Sequence, residues 1–234
     1  MQKKKVYIFV TMIISFVAVG LISAALATEY WIVAWPERDV NQTTKDLARN
    51  ISGDGTKFNG NVHLGLFTGQ KRIDYGFGER TSDVQVLDAI KDHGLMNFGL
   101  WVCCIIFSCL GIVWGLIGAG FAIFNVSTRP IETITGPQGI YLWNLLAGLF
   151  TMLCIGMFVA LYFLNLQKNV LNPRERNLLW TSENRATFGY SFYLVVGATV
   201  CYILNILLMA ASGYKPRPKD SKITMDAMDG VMMY

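Results

Sequence analysis

Charge is scarce in this chain. Asp, Glu, Lys and Arg make up 15% of it, where an ordinary soluble domain carries about a quarter. Histidine is scarcer still: the 2 histidines, His63 and His93, have no Cys or His partner at zinc-ligand spacing, so no metal centre is expected. No Gly-x-Ser-x-Gly elbow and no Walker-type glycine loop occurs, which removes two common catalytic and nucleotide-binding signatures. Asp74, Glu79, Asp83 and Asp88 are the carboxylates from which an acid/base pair would have to come, and a solvated surface accounts for them. The 5 cysteines, Cys103, Cys104, Cys109, Cys154 and Cys201, all fall inside apolar runs. A disulfide framework needs them in exposed loops, so they read as small buried apolar residues. The basic residues are scattered and form no groove interleaved with aromatics, so no nucleic acid partner is expected. These absences point away from an enzyme, and no cofactor is expected.

What the chain has instead is long apolar runs, with 53% of its residues hydrophobic. Four stretches lack Asp, Glu, Lys, Arg and His altogether: 6–28, 95–124, 139–166 and 189–211. Each is long enough to cross a bilayer as a helix, which takes about 20 residues. The first follows the cluster Lys3–Lys5, and Ala25-Leu26-Ala27 imitates a signal-peptidase site. Its apolar stretch exceeds the roughly 7–15 residues of a signal peptide, so it reads as a retained span. No ionisable residue sits within a span, which argues against a pump, a voltage sensor or an ion-coupled transporter.

The polar segments between the runs complete a single membrane domain over 1–234, with outer loops 29–94 and 167–188, a turn 125–138 and a tail 212–234. In the large loop, Tyr30–Trp35 and Val62–Phe67 are β-branched and aromatic runs broken by Gly and Asn, a pattern of short strands. A turn is expected within 67–77, and Asp83–His93 has apolar residues close to helical spacing. With no cysteine and under 70 residues, this loop is too small to stand alone and is expected to rest on the helix ends. Lys3–Lys5, Arg129, Lys215, Arg217, Lys219 and Lys222 place both termini and the central turn on the cytoplasmic side. The sequons at Asn41 and Asn50 lie in the large loop, where glycosylation requires the lumenal side. A third sequon, at Asn125, is expected to stay unmodified.

Gly111, Gly115 and Ala119 form a small-xxx-small ladder of the kind that lets membrane helices approach closely. Packing within the bundle is the first reading and a dimer face the second, so a homo-oligomer stays open. Asn144, Asn205 and Ser108 are polar side chains inside spans and read as pins of helix register. At the carboxyl end, Met232 and Tyr234 fit the residue classes of tails captured by PDZ domains through strand addition.

Gly99-Leu100-Trp101 followed by Cys103-Cys104 imitates the claudin outer-loop signature, but the cysteines are adjacent and the segment enters a span. Gly65-Leu66-Phe67, downstream of Trp31, is the better counterpart, its aromatic residue expected to pack from the sheet onto the membrane interface. With Tyr75-Gly76-Phe77-Gly78-Glu79-Arg80, and above all Gly120–Asn125, Pro130 and Gly136-Pro137-Gln138-Gly139-Ile140-Tyr141-Leu142-Trp143-Asn144, the chain resembles the clarins. Ser191-Phe192-Tyr193 and the terminal Tyr234 add to the likeness. Clarins are four-span proteins related to the claudin and peripheral-myelin-protein superfamily. The resemblance implies an all-α membrane protein, a claudin-like bundle of four transmembrane helices with a small extracellular antiparallel β-sheet from the first outer loop. It implies a non-enzymatic plasma-membrane organiser or accessory subunit of sensory cells, tied to hearing, hair-cell stereocilia, mechanotransduction or synapses, and actin-linked cell projections. Its partners would be membrane lipids and other membrane proteins, a channel or adhesion complex among them. Tyr75 stands where several clarins have Cys, which excludes an outer-loop disulfide here. A claudin-like junction or paracellular barrier protein is the alternative, and the missing loop cysteines weigh against it.

Overall fold

The computed structural model describes residues 2–38, 59–75, 78–127 and 137–212. Six α-helices lie among them: α1 Gln2–Ala27, α2 Val86–His93, α3 Phe98–Ser127, α4 Pro137–Leu161, α5 Pro173–Asn177 and α6 Tyr190–Ala211. A π-helical turn, Tyr162–Leu166, continues α4. Among the described residues 4 helices (α1, α3, α4 with its π turn, and α6) are long and apolar enough to cross a membrane. They close into a ring in which α1 packs on α3 and α6, and α4 on α3 and α6.

The helix ends differ from the apolar runs in instructive ways. The second run begins at 95, yet α3 begins at Phe98, because Asn97 Oδ1 accepts the Leu100 N–H at 3.2 Å and starts the helix there. Just upstream, α2 ends at Gly94 in the left-handed region (φ 60°), the conformation glycine adopts without strain. Leu95 and Met96, left between the two helices, are buried. At the other end α3 continues through Ser127 and α4 starts at Pro137, so the connection is shorter than 125–138. Proline suits the first helical turn, where its missing N–H costs nothing.

Among the described residues seven strands cap one end of the ring: β1 Ile32–Ala34, β2 Glu37–Arg38, β3 Gly60–Leu64, β4 Thr68–Asp74, β5 Glu79–Gln85, β6 Trp180–Thr181 and β7 Ala186–Phe188. Five form an antiparallel sheet in the order β5-β4-β3-β1-β7, while β2 and β6 form a separate ribbon. Of the stretch 67–77, where a turn is expected, residues 68–74 form β4; the turn that joins β3 to β4 lies at Gly65–Phe67, and 76–77 lie outside the described residues. Helical spacing from Asp83 also misled, since 83–85 belong to β5 and the helix starts at Val86. The sheet is not built from the first loop alone. Its β7 comes from the second loop and pairs Ile32↔Phe188 and Ala34↔Ala186. The physical reason is proximity: β1 leaves α1, β7 enters α6, and those helices pack side by side.

Candidate functional site

The described residues hold no group of three or more His, Cys, Asp or Glu side chains placed to bind a metal ion. What they build is a joint between sheet and bundle, with a polar layer deeper in the helices.

Trp31 anchors the joint. It is fully buried, its indole N–H donates to Ala25 O at 2.6 Å, and its ring packs on Phe158 at 4.8 Å. Gly65 lies where an added Cβ would come within 2.8 Å of Thr28 O, so the β3–β4 turn sits directly on the end of α1. Leu66 is buried, and its carbonyl accepts the Trp101 indole N–H at 2.8 Å. The Gly-Leu-Trp dismissed as an imitation and the Gly-Leu-Phe preferred to it therefore bond to each other. Phe67 stays 46% exposed, so Leu66 carries the inward contact of that triplet. Around them Tyr162 donates from Oη to Ala186 O at 2.7 Å, and the Phe158, Phe188 and Phe192 rings pack together.

Beside this aromatic core, Tyr30 is sandwiched between His63 (4.2 Å, interplanar 4°) and Tyr190 (5.0 Å). Glu29 accepts the Thr68 hydroxyl at 2.6 Å and holds a carboxylate oxygen 3.9 Å from His63 Nε2. Burial lowers the His63 pKa below the usual imidazole value; Glu29 opposes that shift and Arg72 adds to it. A buried ion pair ties the two loops: Lys71 Nζ on β4 donates to both Glu175 oxygens, at 2.9 and 2.7 Å. Glu175 belongs to the capping box of α5, where it also accepts the Asn172 N–H at 2.9 Å. Tyr75 packs edge-on against Trp180 at 5.8 Å. Burial first, and Glu175 second, push its phenol above the ordinary value, with Arg80 opposing.

Inside the ring, Ser15 on α1, Asn144 on α4 and Asn205 on α6 meet with no more than 2% exposure each. The Asn205 amide donates to Ser15 Oγ and to Asn144 Oδ1, both at 2.9 Å, and Asn144 donates to Ile140 O at 2.8 Å. Ser108, also buried, donates to Cys104 O at 2.8 Å and lies 3.1 Å from the Cys154 sulfur. Gly111, Gly115 and Ala119 all face the interior. An added Cβ on Gly111 would lie 2.9 Å from Thr151 Cγ2, and one on Gly115 would collide with the Tyr202 hydroxyl. Trp143 stacks on Trp114 at 5.3 Å and Phe121 at 5.9 Å, while Gly139 is buried and Tyr141 faces outward. Pro137 opens α4. Asn125 is only 3% exposed and donates to Phe121 O at 2.7 Å within α3. The sequons at Asn41 and Asn50, Pro130, Gly136, and the tail residues Met232 and Tyr234 lie outside the described residues.

Reading the sequence missed Ser15, Lys71 and Glu175. Ser15 looks like any other hydroxyl in an apolar run. Lys71 occupies an inward position of β4, between buried Gly69 and Ile73, a signal that becomes visible only once the register is known.

A sequence model of the Clarin-2-like family matches residues 3–209. Clarin-2 of Mus musculus is 30% identical, covering 89% of this chain and 88% of the relative. Clarin-1 of Homo sapiens is 28% identical over 100% of this chain and 99% of its own. Clarin-3 of Homo sapiens is 27% identical over 86% and 82%.

Proposed function

The chain belongs to the clarin family, and on that premise we propose that it acts as a non-enzymatic organiser or accessory subunit of the plasma membrane. It holds partner membrane proteins, a channel or adhesion complex, through lateral contacts of its spans, its outer loops and its tail. The observation that carries this reading is the near whole-chain family match joined to the use made of the buried polar groups. Lys71, Glu175, Asn144 and Asn205 hold loops and helices to one another, an arrangement suited to presenting a fixed outer surface. Both termini face the cytoplasm and the sheet faces outward, with Asn41 and Asn50 glycosylated. The setting is a sensory cell with actin-rich projections, and the terminal Met232 and Tyr234 engage a PDZ scaffold.

Proximity labelling from the tail in native tissue tests the core of this reading. Recovery of membrane and cytoskeletal proteins is the expected result, and labelling no greater than that of an unrelated four-span protein overturns it. Deleting 231–234 is expected to remove the scaffold fraction, and unchanged recovery ends the PDZ part. Glycosidase shifts lost in Asn41→Gln and Asn50→Gln support the orientation. A shift that depends on Asn125 instead inverts it.

A further inference from the structure

β5 is an unusual strand. It has 7 residues in regular register with β4, from Thr68↔Gln85 to Asp74↔Glu79, and it forms the end of the sheet. All of its residues except the half-buried Val84 are exposed. On β4, Gly69, Lys71 and Ile73 face inward and are covered, with Glu175 clasping Lys71. Their partners on β5, Val84, Ser82 and Arg80, share that face, yet the covering layer stops short of them. Among the described residues β5 is held by main-chain pairing to one neighbour alone.

The pairing pattern fixes what its outer edge offers. Val86 N–H donates to Phe67 O at 2.9 Å, one step beyond the Thr68↔Gln85 pair. Hydrogen-bonded and non-bonded pairs alternate in an antiparallel ladder, so Arg80, Ser82 and Val84 bond to β4. Glu79, Thr81, Asp83 and Gln85 therefore turn their N–H and C=O groups outward. The edge carries no proline, and among the described residues no strand pairs with its outward N–H groups, which suits it to strand addition.

We propose that β5 pairs antiparallel with β5 of a second copy of this chain, about a two-fold axis through Ser82. Because the outward groups recur every second residue, symmetric registers differ by steps of two. Centring on Thr81 sets Glu79 against Asp83 of the second copy, and centring on Asp83 sets that carboxylate against its own equivalent. Like charges directly opposite are destabilising. The Ser82 register opposes none: it sets Glu79 against Gln85, Arg80 against Val84 and Thr81 against Asp83, closing about eight main-chain hydrogen bonds.

The axis also decides which membrane the second copy occupies. β1 rises from α1 and β7 descends into α6, while Leu66 at the base of β4 is bonded to α3. The strands thus run between the bundle end and the far turn. A two-fold that makes two such edge strands antiparallel turns the second copy end for end, placing its bundle on the opposite side. The contact joins facing membranes, and many weak copies acting together supply its strength.

The test uses the full chain reconstituted into two populations of phosphatidylcholine vesicles with different fluorophores, followed by energy transfer between populations on mixing. Clustering that depends on protein in both populations is expected. Thr81→Pro removes an outward N–H while sparing those bonded to β4, and is expected to reduce clustering to that of protein-free vesicles. Thr81→Asp opposes two carboxylates and is expected to do the same, whereas Thr81→Asp/Asp83→Lys restores an opposite pair and regains clustering. Amide exchange on β3 and β4 reports whether each variant keeps the sheet, and where proline disturbs it the charge pair and its rescue decide. Absence of clustering by the unaltered chain, clustering untouched by Thr81→Pro with the sheet intact, or failure of the double variant to rescue overturns the proposal. So does energy transfer confined to copies in one vesicle.

Discussion

Lys71 and Glu175 are separated by 104 positions in the sequence, yet their side chains make a two-pronged contact at 2.7 and 2.9 Å with 5% and 12% side-chain exposure. It ties β4 of the first loop to α5 of the second, and so serves where a covalent cross-link is absent. Removing one partner strands a buried charge, at a cost of about 3–5 kcal/mol, whereas apolar replacement of both is often nearly neutral. Lys71→Met and Glu175→Gln are each expected to lower the melting temperature of the purified chain and to speed exchange of β4 amides. Lys71→Met/Glu175→Leu is expected to recover most of the loss. Equal damage in single and double variants would show that the pair is not what holds the loops.

The Ser15–Asn144–Asn205 layer joins three of the four spanning helices. Hydrogen bonds between membrane helices contribute about 0.6 kcal/mol on average and up to about 1.7. Asn205 makes two of them, so Asn205→Ala is expected to cost about 1–2 kcal/mol in a detergent-unfolding titration. A double-mutant cycle with Ser15→Ala should return a coupling of about 0.5 kcal/mol or more. Strict additivity would mean that the two side chains do not act together.

The spans were legible because hydropathy needs only local sequence: the uncharged run at 189–211 became α6 nearly residue for residue, and that at 6–28 became α1, which starts four residues earlier at Gln2. Helix ends were less so, because Asn97 and Gly94 set them through capping geometry rather than hydropathy. The sheet was half legible. The β-branched and aromatic runs Tyr30–Trp35 and Val62–Phe67 pointed to strands, but only Ile32–Ala34 of the first is β1 and the second runs past the end of β3 at Leu64 into a turn, whereas β5 reads Glu-Arg-Thr-Ser-Asp-Val-Gln and has almost no apolar signal. β7 and the Lys71–Glu175 pair depend on which helices neighbour each other, a long-range fact that no window of sequence contains. Asn144 and Asn205 could be singled out as polar groups in apolar runs, but Ser15, which both contact, could not.

Gly115 and Gly120 separate two meanings of a small residue in a span. A Cβ on Gly115 would run into Tyr202, while one on Gly120 meets nothing within 4 Å. Gly115→Ala is expected to cost about 1–3 kcal/mol as overpacking, and a Tyr202→Phe background should relieve part of it. Gly120→Ala should be neutral, or stabilising by up to about 1 kcal/mol through helix propensity. If Gly115→Ala instead leaves stability alone and changes the oligomeric state in detergent, the ladder faces a second copy rather than the bundle.

His63 makes the joint sensitive to pH. Burial holds its folded pKa below the value near 6.5 of the unfolded chain, so between those two values the unfolded state binds more protons. Stability is then complete above about pH 6.5, falls as the pH drops through that window, and levels off once the folded imidazole is also charged. The proton would charge a ring stacked on Tyr30; Glu29 at 3.9 Å offsets part of that cost, and Arg72 adds to it. As the pH falls below about 6.5, exchange of the β3 amides is expected to quicken relative to the intrinsic trend, before most carboxylates titrate. His63→Phe keeps a flat ring against Tyr30 without a titrating nitrogen, and in that variant the excess should vanish. An undiminished pH response in His63→Phe would assign the sensitivity to another group.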